Sequence, residues 1–179
     1  MIFEKTYGIS DVLSIVSISL VIIGGIFAYH QWRKNMLLKS AAYLNELQDK
    51  IRSDPDIKET LYLFEYNEDW YSKQFHGSTL EAKADKTFSC MSYICYLKEQ
   101  KIISEKEFKF FQYKVERIIM NYGVQDYFYN LYHFAMKFSV PFTFFYLLDY
   151  GKKHKLLNVD FFDNKAYQKN NLFHDNLNF

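Results

Sequence analysis

Residues Val12 to Tyr29 form an eighteen-residue run without a single charge, dominated by Ile, Val and Leu. At ~1.5 Å rise per residue a helix of that length spans roughly 27 Å, close to the hydrocarbon core of a bilayer. No polar face interrupts the run, so it does not read as an amphipathic surface helix of a soluble fold. Tyr29 and Trp32 fall where an interfacial aromatic belt belongs, followed by Arg33, Lys34 and Lys39. A secretory signal peptide fits less well. Such a segment wants a basic start and small residues at its end, whereas here Glu4, Lys5 and Asp11 precede the run and Phe27, Tyr29 and Trp32 close it. The excess of basic residues after the run places the C-terminal side in the cytoplasm by the positive-inside rule. Cys90 and Cys95, five apart within an apparent helix, suit a reducing compartment as buried thiols.

Within the span, Ser10, Ser14, Ser17, Gly24 and Ala28, with Val21 in the remaining slot, recur at intervals of 4, 3, 4, 3 and 4. That spacing holds one stripe toward a neighbour in a left-handed supercoil, and small residues let membrane helices approach closely. The stripe therefore marks a candidate interface between copies of the chain, although Ser and Gly are also frequent in membrane helices for no such reason.

Beyond the anchor, about 145 residues are enough for one compact domain. A net charge of +1 supplies no global field for DNA or RNA, and no DNA partner is expected. Two prolines and six glycines leave long segments without breakers, and the pattern reads as helical throughout. The fold expected is all-α: a single N-terminal transmembrane helix followed by a compact cytosolic helical domain. Its parts are a transmembrane anchor over 1–32, a membrane-proximal helix over 33–55, a helical domain over 56–157 and a polar, Asn-rich tail over 158–179 that is partly disordered or docks weakly. The span continues without a break to about Ser53, with Leu37, Leu44, Leu47 and Ile51 on its apolar face. Asp54-Pro55 restarts a helix, since aspartate caps and proline suits the first helical position. Ser78 and Glu81, then Ser104 and Glu107, have capping-box spacing. Gly123 is expected to end one helix as a left-handed residue. Pro141 is expected to open another that runs to about Tyr150 before Gly151.

The chain has eighteen Phe and sixteen Tyr, and they concentrate between Phe108 and Tyr146. Rings can stack on bases, but packed in numbers they make a core with hydroxyls at its rim. The five histidines have no partner at metal spacing, and neither GxSxG, a Walker loop nor GxGxxG occurs. No catalytic residue, metal centre or cofactor is therefore expected, and the chain does not read as an enzyme. The cluster best suited to a ligand is Lys152, Lys153, His154 and Lys155. It can complement a helix C-terminus, grip a phosphodiester or meet anionic headgroups. Arg52, Arg117 and Lys137 neighbour apolar faces and could share a cavity. Trp70, in a loop beside Tyr71, could stack on a base or close the core.

One N-terminal span, the basic stop Arg33-Lys34 and a small aromatic helical remainder resemble the single-span membrane effectors of CRISPR-associated antiviral defence that sense cyclic tetra-adenylate as tetramers. The resemblance is architectural, runs loosely over the whole chain and carries no motif, so no binding residue transfers with it. It implies a bacterial inner-membrane protein with a periplasmic N-terminus. It also implies a cytosolic domain that binds a cyclic oligoadenylate, membrane lipid as a partner, and a homo-oligomer, with a tetramer favoured. Lys153 would then lead a ligand set completed by Lys152, Lys155, His154, Arg52, Lys137 and Trp70. An inner-membrane scaffold without a nucleotide ligand is the alternative.

Overall fold

The structure, a computed structural model, describes residues 8–66, 70–72, 74–157 and 159–162. Among these are six α-helices, one 3-10 turn and no strand. The chain divides into two units, Met1–Leu47 and Gln48–Phe179.

The first unit is made by α1 (Ile9–Ser53), which enters the second unit at Gln48. It is long and apolar enough to cross a membrane, and none of its most apolar window is buried. Its serine hydroxyls turn inward: Ser14 Oγ donates to the Ser10 carbonyl at 2.9 Å and Ser19 Oγ to that of Ile15 at 2.8 Å. This local bonding lets those two hydroxyls sit in a helix able to cross a membrane with their donors paired. Ser10, Ser14, Ser17, Gly24 and Ala28 are all exposed, and a methyl group added at Gly24 meets open space. Of the expected apolar face after the span, Leu44, Leu47 and Ile51 are buried, whereas Leu37 is exposed.

The second unit packs the end of α1 with α2 (Pro55–Tyr66), α3 (Thr79–Glu99), α4 (Glu105–Met120), α5 (Tyr122–Phe138) and α6 (Phe145–Lys153). The caps arise where the sequence puts them. Asp54 Oδ1 accepts from the amides of Asp56 and Ile57, opening α2 at Pro55. Ser104 and Glu107 close a full capping box on α4. Ser78 Oγ accepts from the Glu81 amide, but Glu81 reaches back to Gly77 rather than to Ser78 itself. α3 is packed on α2, α4 and α6, and α4 also touches α5 and α6. The centre is a stack of rings. Phe64 lies parallel to Phe88 at 5.1 Å, Phe88 meets Phe128 edge-on at 4.9 Å, and Phe128 stacks on Phe144 at 5.5 Å. Each fully buried Phe contributes about 1.5–3 kcal/mol of transfer free energy.

Helix termination departs from the expectations. Gly123 lies inside α5 and does not adopt a positive φ. Asn121 divides α4 from α5 instead, because its side chain accepts from the Val124 amide and so starts a new helix. Pro141 sits in the connection before α6, not at its start. The left-handed closures fall on Lys101, Ser139 and Lys155, at φ 55°, 54° and 56°. After each of them the chain bonds back five residues: Ile102 N to the Leu97 carbonyl and Leu156 N to that of Gly151 at 2.9 Å, and Val140 N to that of Ala135 at 3.0 Å. These are Schellman closures built without glycine.

Gly151 has a different reason to be glycine. A methyl group there would sit 2.9 Å from Ile119 Cγ2 and 3.2 Å from Leu157 Cγ, so α6 approaches α4 more closely than any side chain allows. Ile119 is β-branched and buried, so it has little freedom to yield. Gly151→Ala is expected to cost about 1–2 kcal/mol despite the better helix propensity of alanine, read as a lower midpoint in thermal unfolding. An unchanged or higher midpoint would show that the α4–α6 contact relaxes freely.

The tail is described only in part. The turn Val159–Phe162 docks through Phe161, which is buried with its ring edge-on to Tyr129 at 5.7 Å. The expectation for residue 158 and for 163–179 lies outside the described residues.

Candidate functional site

The basic cluster at the end of α6 is occupied by its own neighbours. Lys153 Nζ lies 2.8 Å from Asp149 Oδ2 and 2.9 Å from Glu99 Oε1. The two carboxylates, Asp149 first, hold its ammonium above the ordinary lysine range. The His154 ring stacks on Tyr150 with centroids 4.1 Å apart, and Lys152 Nζ sits 4.6 Å over the Phe162 ring. Lys155 supplies the left-handed closure of α6. The cavity here is about 40 Å³, room for water but not for a nucleotide. Of the readings open for this cluster, the geometry favours complementing a helix end. Lys153, expected to lead the ligand set, is thus engaged by two carboxylates of its own fold.

Of the two roles expected for Trp70, a stacking face or closure of the core, the packing favours the second. Trp70 is 6% exposed, its indole N–H donates to Asn121 Oδ1 at 2.9 Å, and Phe64 and Phe75 pack on it at 4.9 and 5.0 Å. No ring face remains for a base, so the residue closes the core. Among the described residues, Lys137 reaches the ring of its neighbour Phe138, at 5.3 Å. Arg117 donates to the Glu65 carbonyl at 3.0 Å and so caps the end of α2.

Arg52 leads elsewhere. It lines an open cleft of about 380 Å³ with Ile51 of α1, Lys58, Leu61, Tyr62 and Glu65 of α2, and Lys114 of α4. The volume falls in the range of small-ligand sites. Positions 58, 61, 62 and 65 share one face of α2 by the 3–4 spacing of a helix. Ile51 is buried beneath, so the cleft has an apolar floor with charges at its rim. Arg52, Lys58 and Lys114 make no ion pair with any described residue. Burial pushes the Lys114 ammonium below the ordinary lysine range, and the like charge of Arg52 acts in the same direction. The cleft thus holds positive charge that an anion would relieve. The exposed ring of Tyr62 stacks on Tyr66 with centroids 6.1 Å apart and planes 14° apart, a supported face beside the charges. Only Arg52 of this set was foreseen. Lys58 and Tyr62 carry no motif, and Lys114 is hidden between the buried Phe111 and Val115 of α4. The available signal was a lysine bordering the apolar stripe of an amphipathic helix, the same signal that selected Arg117 one turn later.

A second polar cluster lies where the 70–78 loop meets α3 and α5. Asn130 Nδ2 donates to Tyr71 Oη at 2.9 Å, Tyr71 Oη lies 3.0 Å from His76 Nε2, and His76 Nδ1 lies 3.0 Å from Glu81 Oε1. With Nδ1–H donating to the carboxylate, Nε2 is left to accept from the phenol. Burial pushes the Tyr71 phenol up to about 12, the wrong direction for a nucleophile, so the chain of bonds reads as a brace for the loop. Tyr127 Oη donates to Asp85 Oδ1 at 2.9 Å alongside it.

Asp126, half-buried nearby, has its carboxyl pushed up to about 6 by burial. Its pKa is higher folded than unfolded, so the folded state holds the extra proton between about pH 4 and 6. Its contribution to stability is complete below about pH 4 and is lost as pH rises through 6. Asp126→Asn is therefore expected to stabilise the protein at pH 7 by about 1 kcal/mol, discounted for partial exposure, and to be neutral at pH 4. Denaturant titrations at the two pH values measure the difference. Equal effects at both would show that burial of this carboxyl carries no linkage.

Among the described residues, the fold and cleft define an all-α protein with one helix long and apolar enough to cross a membrane and a cleft whose three cations make no ion pair. No protein-family model, curated protein or solved structure matches the chain.

Proposed function

We propose that the chain is a membrane-anchored receptor whose cleft takes one nucleotide unit of a cyclic oligoadenylate, in the role of a bacterial antiviral defence effector that perturbs the inner membrane. The observation that carries the reading is the conjunction of three cations with no ion-pair partner among the described residues and a supported tyrosine face in a cleft of about 380 Å³. Phosphate supplies the charge that Arg52, Lys58 and Lys114 lack, and a base supplies a ring for Tyr62. Arg52 remains from the ligand set expected from sequence, joined by Lys58, Lys114 and Tyr62. A homo-oligomer, with a tetramer favoured, would meet a four-fold ring with one nucleotide per protomer. In this reading α1 lies in the inner membrane with the N-terminus periplasmic and residues after Lys34 cytoplasmic.

The test is calorimetry of the full chain in lipid nanodiscs against cyclic di-, tri-, tetra- and hexa-adenylate and inorganic phosphate at low and high salt. Binding of the tetra-adenylate, weakening as salt rises, is the expected result, because the contacts are charge-assisted. Failure to bind any of these at low salt would remove the receptor reading and leave an inner-membrane scaffold.

A further inference from the structure

Glu65 is out of place in the cleft. A carboxylate beside three cations opposes the entry of a phosphate, yet its side chain pairs with none of them. Tyr113 Oη donates to Glu65 Oε1 at 2.9 Å, so one oxygen is fixed from α4. Oε2 accepts from no described residue. Glu65 is half-buried and stands three residues after Tyr62 on the same face of α2, about 5–6 Å away between Cβ atoms. A ring bound against Tyr62 shares the cleft with a carboxylate oxygen that can only accept.

We infer that Glu65 is a specificity-determining residue, accepting a hydrogen bond from an exocyclic amino group on the base stacked against Tyr62. The inference rests on the nucleotide reading of the cleft. It assigns the cleft to amino-bearing bases, adenine above all, and against bases with a keto oxygen at that edge. A keto oxygen would face a carboxylate with no proton between them, and both acceptors would be left unpaired. The same arrangement accounts for a negative charge in a cationic cleft. It gives up some phosphate attraction for discrimination between bases, as specific sites do when they place an unfavourable contact against the wrong ligand.

The experiment compares adenosine and inosine monophosphates, which differ by amino against keto at one ring position, and the corresponding cyclic tetranucleotides. Each is titrated into the full chain in nanodiscs. Wild type is expected to prefer the adenine form by about tenfold or more. Glu65→Gln, whose amide offers both a donor and an acceptor, is expected to bring the two forms within about threefold while keeping the helical spectrum. Tyr113→Phe, which frees the carboxylate, is expected to fall between them. Equal wild-type affinities for the adenine and inosine forms would overturn the inference and leave the nucleotide reading intact. So would a preference that survives Glu65→Gln. Absence of binding to every probe would overturn both.

Discussion

Lys114→Glu is expected to weaken nucleotide binding by about 100-fold or more while the fold persists. The lysine is half-buried at the cleft, with no ion pair to lose. A charge-assisted hydrogen bond to phosphate contributes about 1.5–3 kcal/mol, and reversal adds repulsion to that loss. The new carboxylate would face Arg52, so the variant exchanges a like-charge contact for a favourable one and its thermal midpoint should not fall. Arg52→Glu should act alike. Lys153→Glu serves as the control: its charge is already met by Asp149 and Glu99, and binding should change by less than about twofold. If Lys153→Glu abolishes binding and Lys114→Glu does not, the site lies at the end of α6 and the cleft assignment is wrong.

Asn121→Ala is expected to lower stability by about 3 kcal/mol, moving the thermal midpoint down on the order of 10 °C. This buried side chain serves three elements at once. Its Oδ1 accepts from the Val124 amide at 3.0 Å, which starts α5, and from the Trp70 indole at 2.9 Å, which fixes the 70–78 loop. Its Nδ2 donates to the Phe64 carbonyl at 2.9 Å, which satisfies the end of α2. Removal leaves a buried indole N–H and a buried carbonyl unpaired, and each costs about 1–3 kcal/mol. Asn121→Asp keeps the acceptor but sets an oxygen against the Phe64 carbonyl, so it should recover only part of the loss. Thermal unfolding of the full chain in detergent, followed by circular dichroism, separates the three proteins. A loss under 1 kcal/mol for the alanine variant would mean that water replaces the amide.

What the sequence reveals here follows the range of the interaction involved. The apolar run of α1 and the caps at Asp54, Ser78 and Ser104 depend on residues within four positions of one another, and all were legible. Glycine misled because it was taken for punctuation. Gly151 is a packing residue against Ile119, and the chain turns left-handed at Lys101, Ser139 and Lys155, where nothing in the sequence announces it. The basic cluster at 152–155 was conspicuous for its charge alone. Lys153 is met by Asp149 one turn earlier on α6, which the sequence does show, and by Glu99, more than fifty positions away, which it does not. The cleft escaped for the converse reason. Arg52, Tyr62 and Lys114 are unremarkable singly, and only the packing of α1, α2 and α4 brings them to one cavity.

The chain's two tryptophans stand in opposite surroundings, one sealed among rings and tied to Asn121, the other exposed on α1 just past its apolar stretch. The protein is in this sense its own fluorophore pair. Trp70 reports whether the interior is intact, and Trp32 reports what touches the apolar helix. A lipid-borne quencher should reach Trp32 and spare Trp70, while denaturant should shift the emission of Trp70 and leave that of Trp32 nearly unmoved. Replacing Trp32 with phenylalanine would leave a single emitter in the core, so unfolding could be followed without a label in the same nanodiscs used for ligand titration.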